Sequence, residues 1–243
     1  MMLMKLMSQE RPEYIAVASD LPAPTFRHRV FPEYKATRPE MPEELAKQIP
    51  VIKEIISLLR IPIFEIEGYE ADDILGTLSK QGEKHELMVY ILTRDKDCLQ
   101  LVTPHTKILR ENGGVSIYDA DEVISRFGVK PEKLVDVWGL SGDTSDNIPG
   151  VPGIGEKTAV KLIKEFGSLE NALANIDRVR NVRARENLRK FSHLAKLSKE
   201  LVTIECSAPL SCDFDQCKRK EPDSEKLREI FGELEFKKLL EML

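Results

Sequence analysis

Long apolar runs are missing from this 243-residue chain. None approaches the ~20 residues a helix needs to cross a bilayer, which argues against a membrane-spanning role. The opening Met1-Met2-Leu3-Met4-Lys5-Leu6-Met7 is short, lacks a charged leader and runs into Gln9-Glu10-Arg11, so it does not read as a secretory signal. Cysteine is scarce: Cys98, Cys206, Cys212 and Cys217 form no Cys-x-x-Cys pair and have no His at zinc-finger spacing. Three of them lie near the C-terminus, yet the expectation is reduced thiols in a cytoplasmic protein rather than a zinc site. Low-complexity tracts and internal repeats are also missing. So is an excess of positive charge: 36 Lys and Arg stand against 41 Asp and Glu, a net −5. Taken alone, that balance argues against a nucleic-acid binder.

What is present is an ordinary globular composition, 42% apolar and 32% charged. The length fits one or two domains with a real core. Tyr14 to Ala18 reads as a short buried strand ending at Ser19-Asp20, and a loop rich in Pro, Arg and aromatics follows from Leu21 to Arg38. Pro42 with Glu43 and Glu44 opens a helix carried by Leu45, Ile49, Ile52, Ile56 and Leu59. Ile61 to Ile66 predicts another strand, Glu70 to Lys80 a helix, and Leu87 to Leu92 the clearest buried strand. Lys107–Leu109 and Val115–Tyr118, split by Asn112-Gly113-Gly114, predict a hairpin. Strands alternating with helices to about residue 120 imply an α/β fold with a mainly parallel central sheet flanked by helices. Beyond that the strand signals vanish. The expected domains are an α/β core over 1–125 and a helical part over 126–243.

Acidic residues gather where strands should end. Asp20 closes the first strand. Glu70, Asp72 and Asp73 open a helix. Asp95 and Asp97 follow the strongest strand, and Asp143 and Asp146 lie in Gly142-Asp143-Thr144-Ser145-Asp146-Asn147. In open α/β sheets the ligand crevice lies outside the carboxyl ends of the strands. Asp95 and Asp97 are two apart, so both point one way in extended chain. Glu70 and Asp73, like Asp143 and Asp146, are three apart and share a helix face. Any one such group alone reads as a cap or a solvated loop acid. Together they would repel unless compensated, and divalent cations compensate. All-oxygen ligation suits Mg²⁺ or Mn²⁺, and a pair of such ions is the usual device for hydrolysing phosphodiesters.

The stretch Asn147 to Ala159 carries Gly150, Gly153 and Gly155 into a helix whose apolar face is Val160, Leu162, Ile163 and Phe166. Glycines let a backbone approach phosphates, and the helix start offers free N–H groups to an anion, with Lys157 adding charge. A plain helix–helix turn needs one glycine, not three. Two basic stretches accompany it. Arg27, His28, Arg29, Lys35 and Arg38 are interleaved with Phe26, Phe31 and Tyr34, which suits stacking on unpaired bases. From Arg178 to Lys199, eight basic residues face the single acid Glu186, a bias that favours phosphate contact over a merely solvated face.

In order along the chain, Asp20, Phe26-Arg27-His28, Tyr34-Lys35-x-x-Arg38-Pro39, Glu67-Gly68-Tyr69-Glu70-Ala71-Asp72-Asp73, Thr93-Arg94-Asp95-Lys96-Asp97, Gly142-Asp143-x-Ser145-Asp146-Asn147 and Gly150-Val151-Pro152-Gly153-Ile154-Gly155 resemble the 5′→3′ exonuclease domain of the bacterial DNA polymerase I family and phage flap endonucleases. The resemblance covers nearly the whole chain. It implies a PIN-like nuclease core with a helical arch and a C-terminal helix-three-turn-helix of the helix-hairpin-helix type. It implies one metal held by Asp20, Glu70 and Asp72 with Asp73 nearby, and a second held by Asp95, Asp97, Asp143 and Asp146. Lys35 and Arg38 would meet the scissile phosphate or the 5′ strand. Arg27, Gly150, Gly153, Gly155, Lys157 and Thr158 would contact DNA, with K⁺ at main-chain carbonyls of the hairpin. The implied partner is DNA with 5′ flaps, nicks, gaps or ends, cut in primer removal and repair, with no polymerase module in this chain; a monomer is the default expectation.

Members of that family begin with a further strand bearing another metal-binding Asp, whereas this sequence starts inside what resembles a later helix. The expectation is a sheet lacking an interior strand, exposed apolar surface and impaired activity. Two other functions therefore stand beside the nuclease. One is a DNA-junction binder that no longer cuts. The other is a ribonuclease toxin with a similar acidic core, against which the glycine hairpin argues.

Overall fold

The computed structural model describes residues 2–111 and 115–243. In chain order these form helix α1 (Met2–Gln9), strand β1 (Val17–Ala18), α2 (Phe26–Val30), α3 (Glu43–Ala46), α4 (Gln48–Leu58), β2 (Ile63–Phe64), α5 (Ala71–Lys84), β3 (Val89–Leu92), β4 (Thr106–Glu111) and β5 (Val115–Tyr118). Helices then follow: α6 (Ala120–Phe127), α7 (Leu134–Ser141), α8 (Glu156–Phe166), α9 (Leu169–Ala174), α10 (Val182–Val202), α11 (Phe214–Cys217), α12 (Ser224–Glu233) and α13 (Lys237–Leu240). The α/β class is as expected, with parallel pairing and flanking helices. The expected single sheet is not seen among the described residues: β1 pairs with β2 in parallel, and separately β3 runs parallel to β4, which is antiparallel to β5. The β4–β5 pairing fits the predicted hairpin, while its Asn112-Gly113-Gly114 turn lies outside the described residues.

The chain divides into two compact units. The smaller comprises residues 1–21, 39–66 and 211–243. Its core is Met7, Leu59, Ile61, Leu227 and Phe231, which are at most 7% exposed, with Ile55 and Ile56 of α4 packed against them. The apolar periodicity that predicted a helix from Pro42 resolves into α3 and α4, with Lys47, itself in helical backbone, between them.

The larger unit comprises residues 22–38 and 67–210. At its centre is α7, apolar nearly all round, with Leu134, Val137, Trp138 and Leu140 buried. It packs on α8 and α10. Gly139 lets α9 and α10 come close, since a Cβ there would sit 2.8 Å from both Leu169 Cδ1 of α9 and Lys199 Cβ of α10. Local chemistry delimits several of the helices. Asp119 caps α6 through the N–H of Glu122, Ser168 caps α9 through Asn171, and Asn181 caps α10 through Ala184. Gly128 and Gly167 close α6 and α8 with positive φ. Along β3 and β5, Tyr90, Val115 and Ile117 remain about half exposed.

The segment from Leu21 to Arg38, expected as loop, contains α2. It starts after Thr25, whose N–H donates to His28 Nδ1 at 3.1 Å. Nothing in its short apolar content announces a helix. It forms because Arg27 is drawn inward by a partner far along the chain.

The glycine hairpin is fixed by backbone packing. Gly150 (φ +59°) and Gly142 (φ +72°) lie against one another, and a Cβ on Gly150 would fall 2.3 Å from Gly142 N and 2.5 Å from the Ser141 carbonyl carbon. Neither obstacle is a side chain that could swing away. Gly150→Ala is expected to cost more than about 3 kcal/mol, as strain and clash add; denaturant unfolding that shows less than 1 kcal/mol would contradict this packing account.

Candidate functional site

Seven of the eight predicted acidic ligands lie in the larger unit. Asp20 lies in the smaller unit, exposed and directly after the Ser19 that ends the β1–β2 pairing. Glu70 is the N-cap of α5, and Asp72 and Asp73 occupy its first turn, where acids suit the helix dipole. Asp95 and Asp97 follow β3, with Asp97 opening a 3₁₀ turn from Asp97 to Leu101. Asp143 and Asp146 sit in the turn after α7, closed by the paired bonds between Asp143 and Ile148.

These acids divide by how they are compensated. Glu70 receives Lys35 Nζ at 2.6 Å and the Tyr34 hydroxyl at 3.0 Å. Asp146 is paired with Arg38, lies 3.8 Å from Lys35 Nζ and accepts from Tyr34 at 3.3 Å. Asp143 is paired with Lys96 at 2.6 Å and accepts from both the hydroxyl and the N–H of Ser145. Burial alone would raise the Asp143 carboxyl, but Lys96 and Ser145 outweigh it and hold it below the ordinary range. Asp72, Asp95 and Asp97 form no ion pair among the described residues. Burial and then the nearby Asp95 push Asp72 up to about 6 and Asp97 up to about 7; Asp143 and Asp146 add to the repulsion at Asp97.

Asp73 is different. It is fully buried, and both its oxygens receive the Arg27 guanidinium at 2.7 Å. The backbone N–H groups of Glu70 and Glu205 complete its shell at 3.0 and 2.9 Å. Arg27, 3% exposed, also donates to the Leu201 and Thr203 carbonyls. The expectation that Arg27 contacts DNA therefore does not fit: its donors are committed inside the protein. Asp73 likewise has its oxygens occupied and acts as a pillar under Glu70. Tyr34, expected among residues for stacking on bases, is 4% exposed and points its hydroxyl at two carboxylates.

Lys35 and Arg38 come to the acids on a turn whose backbone is itself strained. Lys35 has φ +56°, a left-handed conformation that costs a non-glycine residue roughly 1 kcal/mol. The turn is held by Lys35 N donating to the Asp146 carbonyl at 2.9 Å and by Asn147 Nδ2 donating to the Glu33 carbonyl at 2.7 Å. Sequence reasoning missed Lys96, Tyr34 and Cys98 as members of the cluster. Lys96 was signalled by its place between Asp95 and Asp97. Cys98, which is fully buried with its Sγ 3.3 Å from Asp72 Oδ1, was not.

No three acidic, His or Cys side chains among the described residues stand as a ready-made metal cage. The donor set nevertheless suits a hard divalent cation. It is all oxygen, it is short of positive charge at Asp72, Asp95 and Asp97, and those carboxyls repel one another as they stand.

At the hairpin, Gly153 has φ +79° while Gly155, at φ −85°, is the N-cap of α8. Gly155 thus serves no turn requirement. A Cβ there would meet nothing, so its neighbourhood is open to an incoming group. Lys157 is exposed in the first turn of α8, and Thr158 half-buried. The hairpin and the second basic stretch meet here. Asn187 of α10 donates to the Pro152 carbonyl at 2.7 Å, and Arg183 lies against Gly153. Other cations of the same stretch are absorbed by acids: Lys199 by Asp136 and Glu170, Arg189 by Asp177. No helix among the described residues is long and apolar enough to cross a membrane.

Residues 1–128 match the family described as 5′-3′ exonuclease, N-terminal resolvase-like domain, and residues 129–225 match the 5′-3′ exonuclease, C-terminal SAM fold. DNA polymerase I of Bacillus caldotenax is 43% identical over 246 residues, covering 100% of this chain and 28% of that protein. The chain thus spans about 28% of the length of the curated relatives it matches. Among solved structures, T5 5′-exonuclease with bound divalent metal ions (zinc) is 25% identical with a TM-score of 0.74, covering 84% of this chain and 79% of that one. The T5 D15 flap endonuclease in complex with DNA and metal ions shares the fold at 24% identity and a TM-score of 0.73, with the same coverage. On these matches, which take in both halves of the sequence, the chain belongs to the 5′-3′ exonuclease family.

Proposed function

We propose that this chain is a structure-selective 5′ nuclease that hydrolyses DNA phosphodiesters at 5′ flaps, nicks, gaps or ends, in primer removal and repair. The observation that carries this reading is the carboxylate cluster with Lys35, Arg38 and Lys96 on its edge, in a member of a nuclease family. A core over 1–125, together with Asp143 and Asp146 of the part that follows, supplies the chemistry, and a helical part over 126–243 grips the duplex; the reading is of a monomer.

Glu70, Asp72, Asp95, Asp97, Asp143 and Asp146, all of the larger unit, are the residues that would hold two Mg²⁺ or Mn²⁺ ions. Such ions supply an activated hydroxide and neutralise charge developing on phosphate. Lys35 and Arg38 bind the phosphate oxygens and orient the strand. Tyr34 and the Arg27–Asp73 pillar hold Glu70 and Asp146 in place. Gly153, Gly155, Lys157, Thr158 and Arg183 bind duplex backbone at the start of α8, with K⁺ on hairpin carbonyls as part of the same reading. Backbone contacts carry no base information, so sequence preference should be slight.

The second reading, a DNA-junction binder with impaired cutting, draws on one observation: the strands form two separate ladders, and β3 has no partner on its other side among the described residues. One experiment separates them. A labelled 5′-flap duplex is incubated with the chain in Mg²⁺, in Mn²⁺ and in chelator, beside Asp95→Ala, with binding read from the same samples. Metal-dependent cutting that Asp95→Ala abolishes is the expected result. Tight flap-selective binding without cutting would replace the nuclease by the binder.

A further inference from the structure

Within the smaller unit, Cys212 precedes helix α11 and Cys217 is its last residue, and their sulfurs lie 3.4 Å apart without being joined in a disulfide. A disulfide requires sulfurs at ~2.05 Å, so the two sulfurs need to approach by only about 1.4 Å to bond. The backbone around the pair is anchored. Ile15 N donates to the Cys217 carbonyl at 2.8 Å, Arg219 N donates to the Glu13 carbonyl at 2.8 Å, and the Phe214 ring meets Tyr14 edge-on at 6.0 Å. Asp213 caps α11 through the N–H of Asp215 at 3.0 Å. The two thiols are therefore held in register by the fold.

We propose that Cys212 and Cys217 are a modification site: a dithiol that hydrogen peroxide converts to an intramolecular disulfide. This goes beyond the proposed nuclease and does not rest on it. The two thiols have unequal roles. Cys212 is partly exposed, whereas Cys217 is 3% exposed, and burial followed by the adjacent Cys212 pushes its thiol up to about 12. Cys212 is the one that meets the oxidant. Its thiolate attacks one peroxide oxygen; the S–O bond forms, the O–O bond breaks and hydroxide leaves as water, giving a sulfenic acid. The Cys217 sulfur then attacks that sulfur, the S–S bond forms, the S–O bond breaks, and a second water carries off the Cys217 proton. Two thiols lose two electrons and two protons, and peroxide is reduced to two waters. The closed loop staples the segment around α11 across its own helix, beside the strand that leads into β1.

The test uses the full chain. It is treated with stoichiometric hydrogen peroxide, alkylated, and digested before aspartate, which separates Cys212 from Cys217; Cys206→Ser is run in parallel, because Cys206 shares the Cys212 peptide. The expected result is loss of two of the four titratable thiols, a Cys212–Cys217 cross-link in both proteins, reversal by dithiothreitol and a rise in thermal midpoint. Cys212→Ser, at a partly exposed position, should abolish the cross-link. A cross-link that instead uses Cys98 or Cys206, over-oxidation of Cys212 with Cys217 still reduced, or four thiols surviving treatment would each overturn the proposal. The mapping on the unmutated chain decides the matter even where a variant folds poorly.

Discussion

Replacing Arg27 by Met is expected to remove about 3–5 kcal/mol of stability. The substitution keeps much of the side-chain volume but leaves Asp73 fully buried with no counter-charge, having lost two hydrogen bonds of 2.7 Å. The Leu201 and Thr203 carbonyls lose their donors as well. Small domains have only about 5–15 kcal/mol in total, so the variant should be marginal or unfolded at physiological temperature. The pair itself need not be strongly stabilising, since desolvation offsets much of its attraction; the large cost comes from orphaning one member. The double variant Arg27→Met with Asp73→Asn should therefore recover part of the loss, because the amide removes the stranded charge. Denaturant melts of the two variants check this. If Arg27→Met melts within 1 kcal/mol of the parent, or the double variant is the weaker by the full sum of both changes, the pillar account is wrong.

Asp97→Asn is expected to move stability and activity in opposite directions. Asp97 is partly buried, lies near Asp95, Asp143 and Asp146, and forms no ion pair among the described residues. Replacing it by an isosteric amide removes repulsion and should stabilise the chain by about 1 kcal/mol, the usual gain when a functional site gives up its strain. Cleavage of a 5′-flap duplex should fall about 10²–10³-fold, as for loss of one group that places charge against the transition state. The thermal midpoint in chelator should rise; the increase that Mg²⁺ gives the parent should shrink. A variant that melts lower in chelator would show that Asp97 is an ordinary structural acid. Undiminished cleavage would remove it from the site.

Elements with strong local signals were legible in the sequence. Leu87 to Leu92 contains β3, and Val160, Leu162, Ile163 and Phe166 lie along α8 as the spacing requires. Glu70 at the N-cap and Asp73 three residues on marked the start of α5, although it continues to Lys84, beyond the expected Lys80. Illegible were features set by distant partners. Arg27 reads as one more cation in a basic loop until Asp73, 46 positions on, draws it inside. Tyr34 reads as a surface aromatic until Glu70 and Asp146 converge on its hydroxyl. The left-handed backbone of Lys35 has no composition signal, since lysine seldom adopts it. The break between the β1–β2 and β3–β5 ladders is likewise a property of pairing, which period-two patterns leave undetermined.

The turn that carries Lys35 and Arg38 has a thermodynamic corollary. Their cationic heads rest on Glu70 and Asp146, oxygens that the proposed ions would also claim. Lysine and arginine are thus internal counter-ions, and a phosphate that draws them away raises the negative potential of the acids left behind. Each ligand in this way strengthens the site for the other. Linkage requires that reciprocity to be equal in both directions, so divalent ion and DNA should titrate as heterotropic partners: the apparent affinity for Mg²⁺ tightens with flap DNA present, and the affinity for flap DNA tightens with Mg²⁺ by the same factor.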